Sequence, residues 1–146
     1  MPIRYKLIQR KDFTKDAPKD GKRFYAQLVS NGTVSLDELC ESIAEETALT
    51  SADVKSIFDR LPRILRRHLS EGRNVQLGEL GSIRPTLGSQ GSLTKEEFDA
   101  SKMMKKPGLV FTPGKLLQKM RAETTFSRVK DPEEKTPGEG DSPDEI

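Results

Sequence analysis

The sequence predicts an α+β fold, and three observations indicate it. Between residues 35 and 70, two stretches with apolar residues at helical spacing follow one another, each opened by a helix-capping pattern. A glycine-bracketed corner at residues 78–81 then separates two short strand-like runs. Two further strand-like runs lie near the start of the chain, before the first helix. A helical segment beside groups of short strands is typical of α+β proteins.

Residues 1–31 are predicted to form an N-terminal pair of strands. The two runs, residues 5–8 and 24–29, are rich in β-branched, aromatic and other apolar side chains. The polar residues 14–22 between them contain several turn formers, so the pair should be a hairpin. The Ser-Asn-Gly sequence at residues 30–32 then marks a boundary with the rest of the chain.

Two amphipathic helices are predicted next. Ser35 and Glu38 have the spacing of a capping box, and Thr50 and Asp53 repeat that spacing. Apolar residues follow each cap at helical spacing: Leu36, Leu39, Cys40, Ile43 and Ala44 in the first helix, and Val54, Ile57, Phe58, Leu61, Ile64, Leu65 and Leu69 in the second. Gly72 has the position of a glycine that ends the second helix. The segment therefore predicts a helical hairpin.

A small antiparallel sheet and a last helix are predicted from the residues that follow. Gly78 and Gly81 allow a sharp corner between two short strands. Residues 110–112 form a further strand-like run. Pro113 at a first helical turn then opens a helix that should extend to about Arg121.

The composition indicates a small core that is completed by association. Hydrophobic residues make up 33% of the 146 residues, charged residues another 33%, and there is no tryptophan. Such a chain buries little apolar surface alone, which favours a dimer. The single cysteine, Cys40, excludes a disulfide framework and suits a reducing cytoplasm. Because the sequence has neither an apolar run long enough to cross a membrane nor a signal-peptide pattern, we expect a soluble cytoplasmic protein with no membrane partner.

The charge is distributed unevenly along the chain. Residues 130–146 carry seven acidic and two basic residues, a net charge of −5, and their lack of apolar residues predicts a disordered acidic tail. The other residues carry 23 basic and 16 acidic side chains, a net charge of +7. A basic body favours a polyanionic partner, although ordinary surface charge is an equally good explanation at this stage.

The order and spacing of these features resemble one protein family. The helix pair is followed by the sequence Gly-Glu-Leu-Gly-Ser-Ile from Gly78, then by a long segment, and then by the pattern Phe-x-x-Gly-Lys-x-Leu from Phe111. Together they resemble the HU/IHF family of bacterial architectural DNA-binding proteins over roughly residues 33–126. With its strand-pair extension and polar tail, the chain is similar to the divergent long HU-like proteins of Bacteroides-type bacteria.

The resemblance implies a fold and an assembly. Two chains would intertwine as a homodimer, each contributing the helical hairpin and a three-stranded antiparallel sheet from which a β-arm, residues 87–108, extends. The domains would then be the strand-pair extension at residues 1–31, an HU-like DNA-binding domain at residues 32–129, and the acidic tail at residues 130–146.

The resemblance also implies double-stranded DNA as the partner, in the bacterial nucleoid. It places the sheet, the base of the arm and the last helix toward DNA, where cations would neutralise phosphates and bind many sequences alike. The candidate DNA-binding residues are Arg84, Lys102, Lys105, Lys106, Lys115 and Lys119. The arginines of the second helix, at positions 60, 63, 66 and 67, and Arg73 beyond its end, are interpreted as a solvated surface.

The arm departs from the family pattern. HU-like arms are basic and carry an Arg-Asn-Pro tip whose proline enters the minor groove. Residues 88–101 contain Glu96, Glu97 and Asp99 against Lys95, and no Arg-Asn-Pro sequence. The spacing of Thr94 and Glu97 instead predicts a capped helical turn. Phe98 is expected to pack against the body of the protein, with a wedge into DNA as the alternative.

Catalysis is not predicted. The only histidine, His68, lies on the second helix with no cysteine or second histidine beside it, so neither a metal site nor a nucleophile–base pair is formed. No phosphate-binding or dinucleotide-binding loop is present, and we expect no cofactor and no small-molecule substrate. Two functions remain open: an architectural DNA-binding protein, or an HU-like structural or protein-interaction module that has lost strong DNA binding.

Overall fold

The computed structural model describes residues 1–130 and divides the chain into two compact units. The N-terminal unit comprises Met1–Thr33 and the described residues from Thr124 onward, and the central unit comprises Val34–Glu123. Helices and short strands are both present, which confirms the predicted α+β class. The predicted acidic tail, apart from Lys130, lies outside the described residues. Within residues 1–130, every helix is too short or too polar to cross a membrane.

The central unit begins with the predicted helical hairpin. Helix α1 covers Leu36–Glu45 and helix α2 covers Ser51–Ser70. The Ser35 hydroxyl accepts a hydrogen bond from the Glu38 N–H at 3.2 Å, and the Glu38 carboxylate accepts one from the Ser35 N–H at 2.9 Å. Both helices therefore begin at reciprocal capping boxes, as the sequence predicts, since α2 has the same arrangement at Thr50 and Asp53.

The capping box of α2 predicts how stability depends on pH. The hydroxyl and the backbone N–H of Thr50 donate to the Asp53 carboxylate at 2.7 and 3.0 Å, and these bonds lower the pKa of Asp53 from its usual 3.8. A carboxyl group with a lowered pKa stabilises the fold above its unfolded pKa, and this contribution is lost as the pH falls through the folded value. Asp53→Asn should therefore lower the unfolding temperature at pH 7, and the difference should shrink toward about pH 2. A difference that stays constant across this range in circular dichroism would contradict the charged cap.

The sheet of the central unit has three antiparallel strands, as the resemblance implies. The strands are β3 (Val75–Gln76), β4 (Gly81–Thr86) and β5 (Gly108–Pro113), with β4 in the centre. Ile83 of β4 lies opposite Val75 on one side and Phe111 on the other. A later helix, α4 (Lys115–Glu123), follows β5 directly, as the Pro-Gly sequence predicts.

The two sequence motifs that suggested the family contact each other. A 3-10 turn at Gly78–Leu80 forms the corner before β4, and Gly81 adopts a φ of 137°. The N–H of Gly114 donates to the carbonyl of Leu80 at 3.0 Å. A Cβ atom on Gly114 would overlap the carbonyl group of Glu79, and one on Gly81 would overlap the carbonyl oxygen of Thr112. The corner and the start of α4 therefore pack backbone against backbone, which only glycine allows.

The structure corrects the expectation of a β-arm at residues 87–108. Between β4 and β5 it has one bridge pair, Ser89 with Met104, and a short helix α3 at Ala100–Met103. The Asp99 carboxylate caps α3 by accepting from the Ser101 N–H at 3.0 Å. The Thr94 hydroxyl accepts from the Glu97 N–H at 3.3 Å, which confirms the predicted capped turn. Caps, turns and polar residues thus replace the alternating pattern that a two-stranded ribbon needs.

The N-terminal unit is a three-stranded sheet. Strands β1 (Ile3–Lys11) and β2 (Lys22–Leu28) form the predicted antiparallel pair. A third strand, β6 (Phe126–Arg128), pairs in parallel with the start of β1, so that Ile3 lies opposite Phe126. Strand β6 was not predicted, because a three-residue strand carries no alternating pattern of its own.

The core of the described chain is small. Among residues 1–130, the only fully buried hydrophobic side chains are Cys40 on α1 and Val54 on α2, which are 1% and 3% exposed. Many large apolar side chains of the central unit are exposed by contrast. They include Leu36, Leu39, Ile57, Ile64, Leu80, Leu109, Phe111, Leu116 and Met120. One chain therefore leaves many of its large apolar side chains exposed.

Candidate nucleic-acid interface

The six candidate cations lie on three regions of the central unit. Arg84 is in the middle of β4, opposite Val110 of β5. Lys102 belongs to α3, and Lys105 and Lys106 follow this helix before β5. The remaining two, Lys115 and Lys119, are on α4. All six side chains are exposed or partly exposed to solvent, so each is accessible to a polyanion.

Arg84 is on the sheet face that points away from α2. Side chains alternate along a strand, so Arg84 shares its face with Ser82 and Thr86, whereas Ile83 and Pro85 occupy the other face. The second set lines an apolar groove of about 880 Å³ together with Leu65 and Leu69 of α2 and Leu109 of β5. The sheet thus separates a polar face carrying one arginine from an apolar face beside α2.

The segment between β4 and β5 brings Lys105 close to the end of β4. The N–H of Lys105 donates to the carbonyl of Gly88 at 2.8 Å, and the N–H of Gln90 donates to the carbonyl of Met103 at 2.9 Å. These bonds hold the two ends of the segment together, next to the sheet. Lys105 and Lys106 are consequently fixed at the base of the segment rather than carried on a long ribbon.

Four of the six cations form no ion pair with the residues that the structure describes. Lys102 is 3.9 Å from the Asp99 carboxylate, and Lys119 is 3.8 Å from the Glu123 carboxylate. Within residues 1–130, the other four form no ion pair: Arg84, Lys105, Lys106 and Lys115. These four are the cations of the set that can neutralise a phosphate without first losing an acidic partner.

Acidic groups in the segment between β4 and β5 oppose an anionic partner. The hydroxyl and then the N–H of Ser101 donate to the Asp99 carboxylate and hold its pKa below the usual 3.8. Glu96 and Glu97 are exposed beside the capped turn. Phe98 is 38% exposed and lines a small hollow with residues 92–95 of its own segment. These three carboxylates repel phosphates locally, and the segment provides no basic ribbon for a groove.

The arginines of α2 form a second exposed set. In the described part of the chain, the arginines at positions 60, 63, 66 and 67 have no ion pair, while Arg73 is 3.0 Å from the Glu71 carboxylate. One guanidinium nitrogen of Arg73 is also 3.4 Å from Nδ1 of His68. Residues 1–130 contain no cluster of three or more metal-ligating side chains, so His68 has an arginine as its neighbour rather than a metal site.

Sequence reasoning overlooked how the charge is divided between the two units. The residues of the central unit include fourteen basic and thirteen acidic side chains, a net charge of +1. The described residues of the N-terminal unit include ten basic and three acidic side chains, a net charge of +7. The signal lies in the basic strands at the start of the chain, but a local hairpin pattern does not indicate that these strands belong to a separate unit.

Comparisons with known proteins agree with the resemblance. The model of the HU-HIG family, described as an HU domain fused to wHTH, Ig, or glycine-rich motif, matches residues 1–128. The fold is similar to a crystal structure from Bacteroides vulgatus ATCC 8482, described as a "putative bacterial DNA binding protein", with a TM-score of 0.58 at 12% identity. That alignment covers 87% of this chain and 48% of the other, so this chain spans about half the length of its structural neighbour. A search of curated proteins found no match. From the family match over residues 1–128, the chain belongs to the HU-HIG family of HU-domain proteins.

Proposed function

We propose that the protein is an architectural, weakly sequence-selective DNA-binding protein of the bacterial nucleoid that does not act as an enzyme. The observation that carries this proposal is the set of unpaired, exposed cations on an HU-like unit within residues 1–130, at Arg84, Lys105, Lys106 and Lys115. Lysine and arginine at such positions neutralise backbone phosphates and release counterions. Phosphate contacts position a protein on the duplex but carry no sequence information.

The proposed contact with DNA uses the sheet and the base of the segment between β4 and β5. Because residues 87–107 form turns and the short helix α3 in place of a two-stranded ribbon, minor-groove insertion by a ribbon is not part of the proposal. The polar face of β4 and the start of α4 instead present Arg84 and Lys115 directly. Lys102 and Lys119 would contribute less, since each has a carboxylate nearby.

We also propose that the protein works as a homodimer. The apolar groove of about 880 Å³ beside α2 and the exposed Leu109 and Phe111 of β5 are too extensive for a stable monomer with so small a buried core. A second copy that fills this groove would bury them, and the dimer would then be inseparable from the fold.

A protein-interaction module is the second candidate. The observation that favours it is the net charge of only +1 on the central unit, together with the carboxylates of Glu96, Glu97 and Asp99 between β4 and β5. A module of this kind would bind duplex DNA weakly and without the steep salt dependence that phosphate contacts produce.

Titration of duplex DNA in a mobility-shift assay at two salt concentrations separates the two candidates. We expect tight binding at low salt that weakens steeply as salt rises, equally for unrelated sequences. Replacing Lys105 and Lys106 together by Ala should weaken binding to all duplexes and lower the salt slope by about two units, since each phosphate contact contributes about 0.9. Folding should be unaffected, because exposed surface substitutions cost about 0.5 kcal/mol or less.

The matched control is Arg60→Ala with Arg63→Ala, which removes the same charge from the exposed surface of α2. This pair should leave the salt slope nearly unchanged. If the α2 pair lowers DNA binding and the salt slope more than the lysine pair does, DNA contacts α2 instead of the proposed surface. Binding of the unmodified protein that does not depend on salt would favour the interaction module.

A further inference from the structure

The N-terminal unit carries nearly all the net positive charge of the described chain. Its net charge of +7 belongs to the shorter of the two units, whereas the longer central unit carries +1. An anionic partner is therefore attracted mainly to the N-terminal unit, and the question is whether its cations form a coherent surface.

The strand register places four of these cations on one face. Directly opposed residues of paired strands project on the same side of a sheet. Arg10 lies opposite Arg23, and Lys6 lies opposite Gln27. Ile8 lies opposite Tyr25 between them, and Arg4 lies opposite Ser127 of β6. We call this surface the basic face, and its charged and aromatic members are Arg4, Lys6, Arg10, Arg23 and Tyr25.

The other face of the same sheet is different in character. It carries Ile3, Tyr5 and Leu7 of β1 with their partners on the neighbouring strands, which include Leu28, Ala26 and Phe126. The same face also carries Lys11 opposite Lys22 and Arg128 opposite Tyr5, so its apolar residues are flanked by cations, and the row of cations along β1 belongs to the basic face.

The cations of the basic face are largely unneutralised. Arg23 forms an ion pair with Asp12, whose pKa is lowered chiefly by hydrogen bonds from Thr14. Arg4 donates to the neutral amide oxygen of Asn31, at 3.4 Å. Within residues 1–130, Lys6 and Arg10 have no ion pair. Arg4, Lys6 and Arg10, all on β1, thus have no carboxylate partner among the described residues.

Their spacing suits a chain of phosphates. Alternate residues of a strand are about 7 Å apart, so Arg4, Lys6 and Arg10 form a row along β1. Arg10 and Arg23 are like charges directly opposite one another, and the ion pair of Arg23 with Asp12 neutralises only one of the two. Tyr25 is 41% exposed next to this pair and offers a hydroxyl donor of the kind that contacts phosphate oxygens.

We propose that the basic face is a second phosphate-binding surface, which holds the backbone of duplex DNA independently of the cations on the central unit. A duplex fits better than a single strand, because single-strand sites stack bases on several aromatic rings and this face has only Tyr25 among the described strands. The identity of the ligand rests on the proposed function, whereas the position of the surface follows from the sheet register alone.

The test measures binding of a mixed-sequence DNA duplex to the full chain by fluorescence anisotropy across a range of salt concentrations. Replacing Lys6 and Arg10 together by Gln should lower the salt slope by about two units and weaken binding at least about tenfold at low salt. The matched control, Lys15→Gln with Lys19→Gln, removes the same charge from the loop between β1 and β2 and should change the slope much less. An equal loss of salt slope in both variants would mean that only the net charge of the protein matters. This result would overturn the proposal that the basic face binds DNA.

A second measurement needs no variant. In acetylation footprinting of the unmodified protein, DNA should protect the Lys6 amine and leave Lys15 reactive. An unchanged salt slope in the Lys6 and Arg10 variant, with slope loss in the Lys105 and Lys106 variant, would overturn the basic face and leave the proposed function standing. Salt-independent binding by the unmodified protein would overturn both.

Discussion

Gly114→Ala should prevent the central unit from folding stably. The added methyl group would overlap the carbonyl of Glu79 and would also lie 3.0 Å from the backbone nitrogen of Gly81. Both neighbours are backbone atoms, so no side-chain rotation can make room. We expect a loss of at least about 3 kcal/mol in the free energy of unfolding, at the upper end of overpacking effects.

Urea unfolding followed by circular dichroism measures this loss. Gly91→Ala is the matched control, because a Cβ atom at Gly91 meets no atom within 4 Å and the residue has no left-handed φ. The control should be as stable as the parent. A Gly114→Ala protein with unchanged stability would contradict the backbone contact between the corner and α4.

Leu109→Asp should dissociate and unfold the protein if the proposed homodimer is correct. Leu109 is 66% exposed in a single chain and lines the apolar groove beside α2. In a monomer, such an exposed position tolerates a polar residue at a cost of about 0.5 kcal/mol or less. In the dimer the carboxylate would be buried without a partner, and an unpaired buried charge is strongly destabilising.

Leu93→Asp provides the control, since Leu93 is 95% exposed in the segment between β4 and β5. We expect this variant to keep the mass and stability of the parent in light scattering and thermal unfolding. A parent protein of 16.3 kDa in solution, folded at micromolar concentration, would contradict the dimer, as would a fully folded Leu109→Asp variant.

The parts of the fold that the sequence predicted are those fixed by local chemistry. Both capping boxes need only residues three positions apart, and the corner at Gly81 needs only its own backbone conformation. The contact between that corner and Gly114 could not be predicted, since it joins residues 33 positions apart with no pattern linking them. The β-arm followed from the family resemblance alone, and there the local signals at Thr94 and Asp99 decided the structure instead.

The candidate site shows the same division. The six cations of the central unit were predicted from the sequence and the resemblance, but their partners are a three-dimensional property: Asp99 and Glu123 lie beside two of them. The basic face could not be predicted without the strand register, because Arg10 and Arg23 are on different strands and share a face only in the observed pairing. The net charge of the whole chain does not show that the N-terminal unit is the more basic one, because it sums the charges of both units.

The parallel pairing of β6 with β1 has a consequence for how the chain matures. The N–H of Ile3 donates to the carbonyl of Thr125, and the N–H of Val129 donates to the carbonyl of Tyr5, both at 2.8 Å. These bonds join residues more than 120 positions apart, so they form only after the ribosome has released the chain through Val129. Until then β1 has an unpaired edge at its start, where another nascent chain can add a strand. Strand β6 covers this part of β1 and leaves an edge of only three residues there, and any chain cut before Phe126 keeps the edge of β1 open.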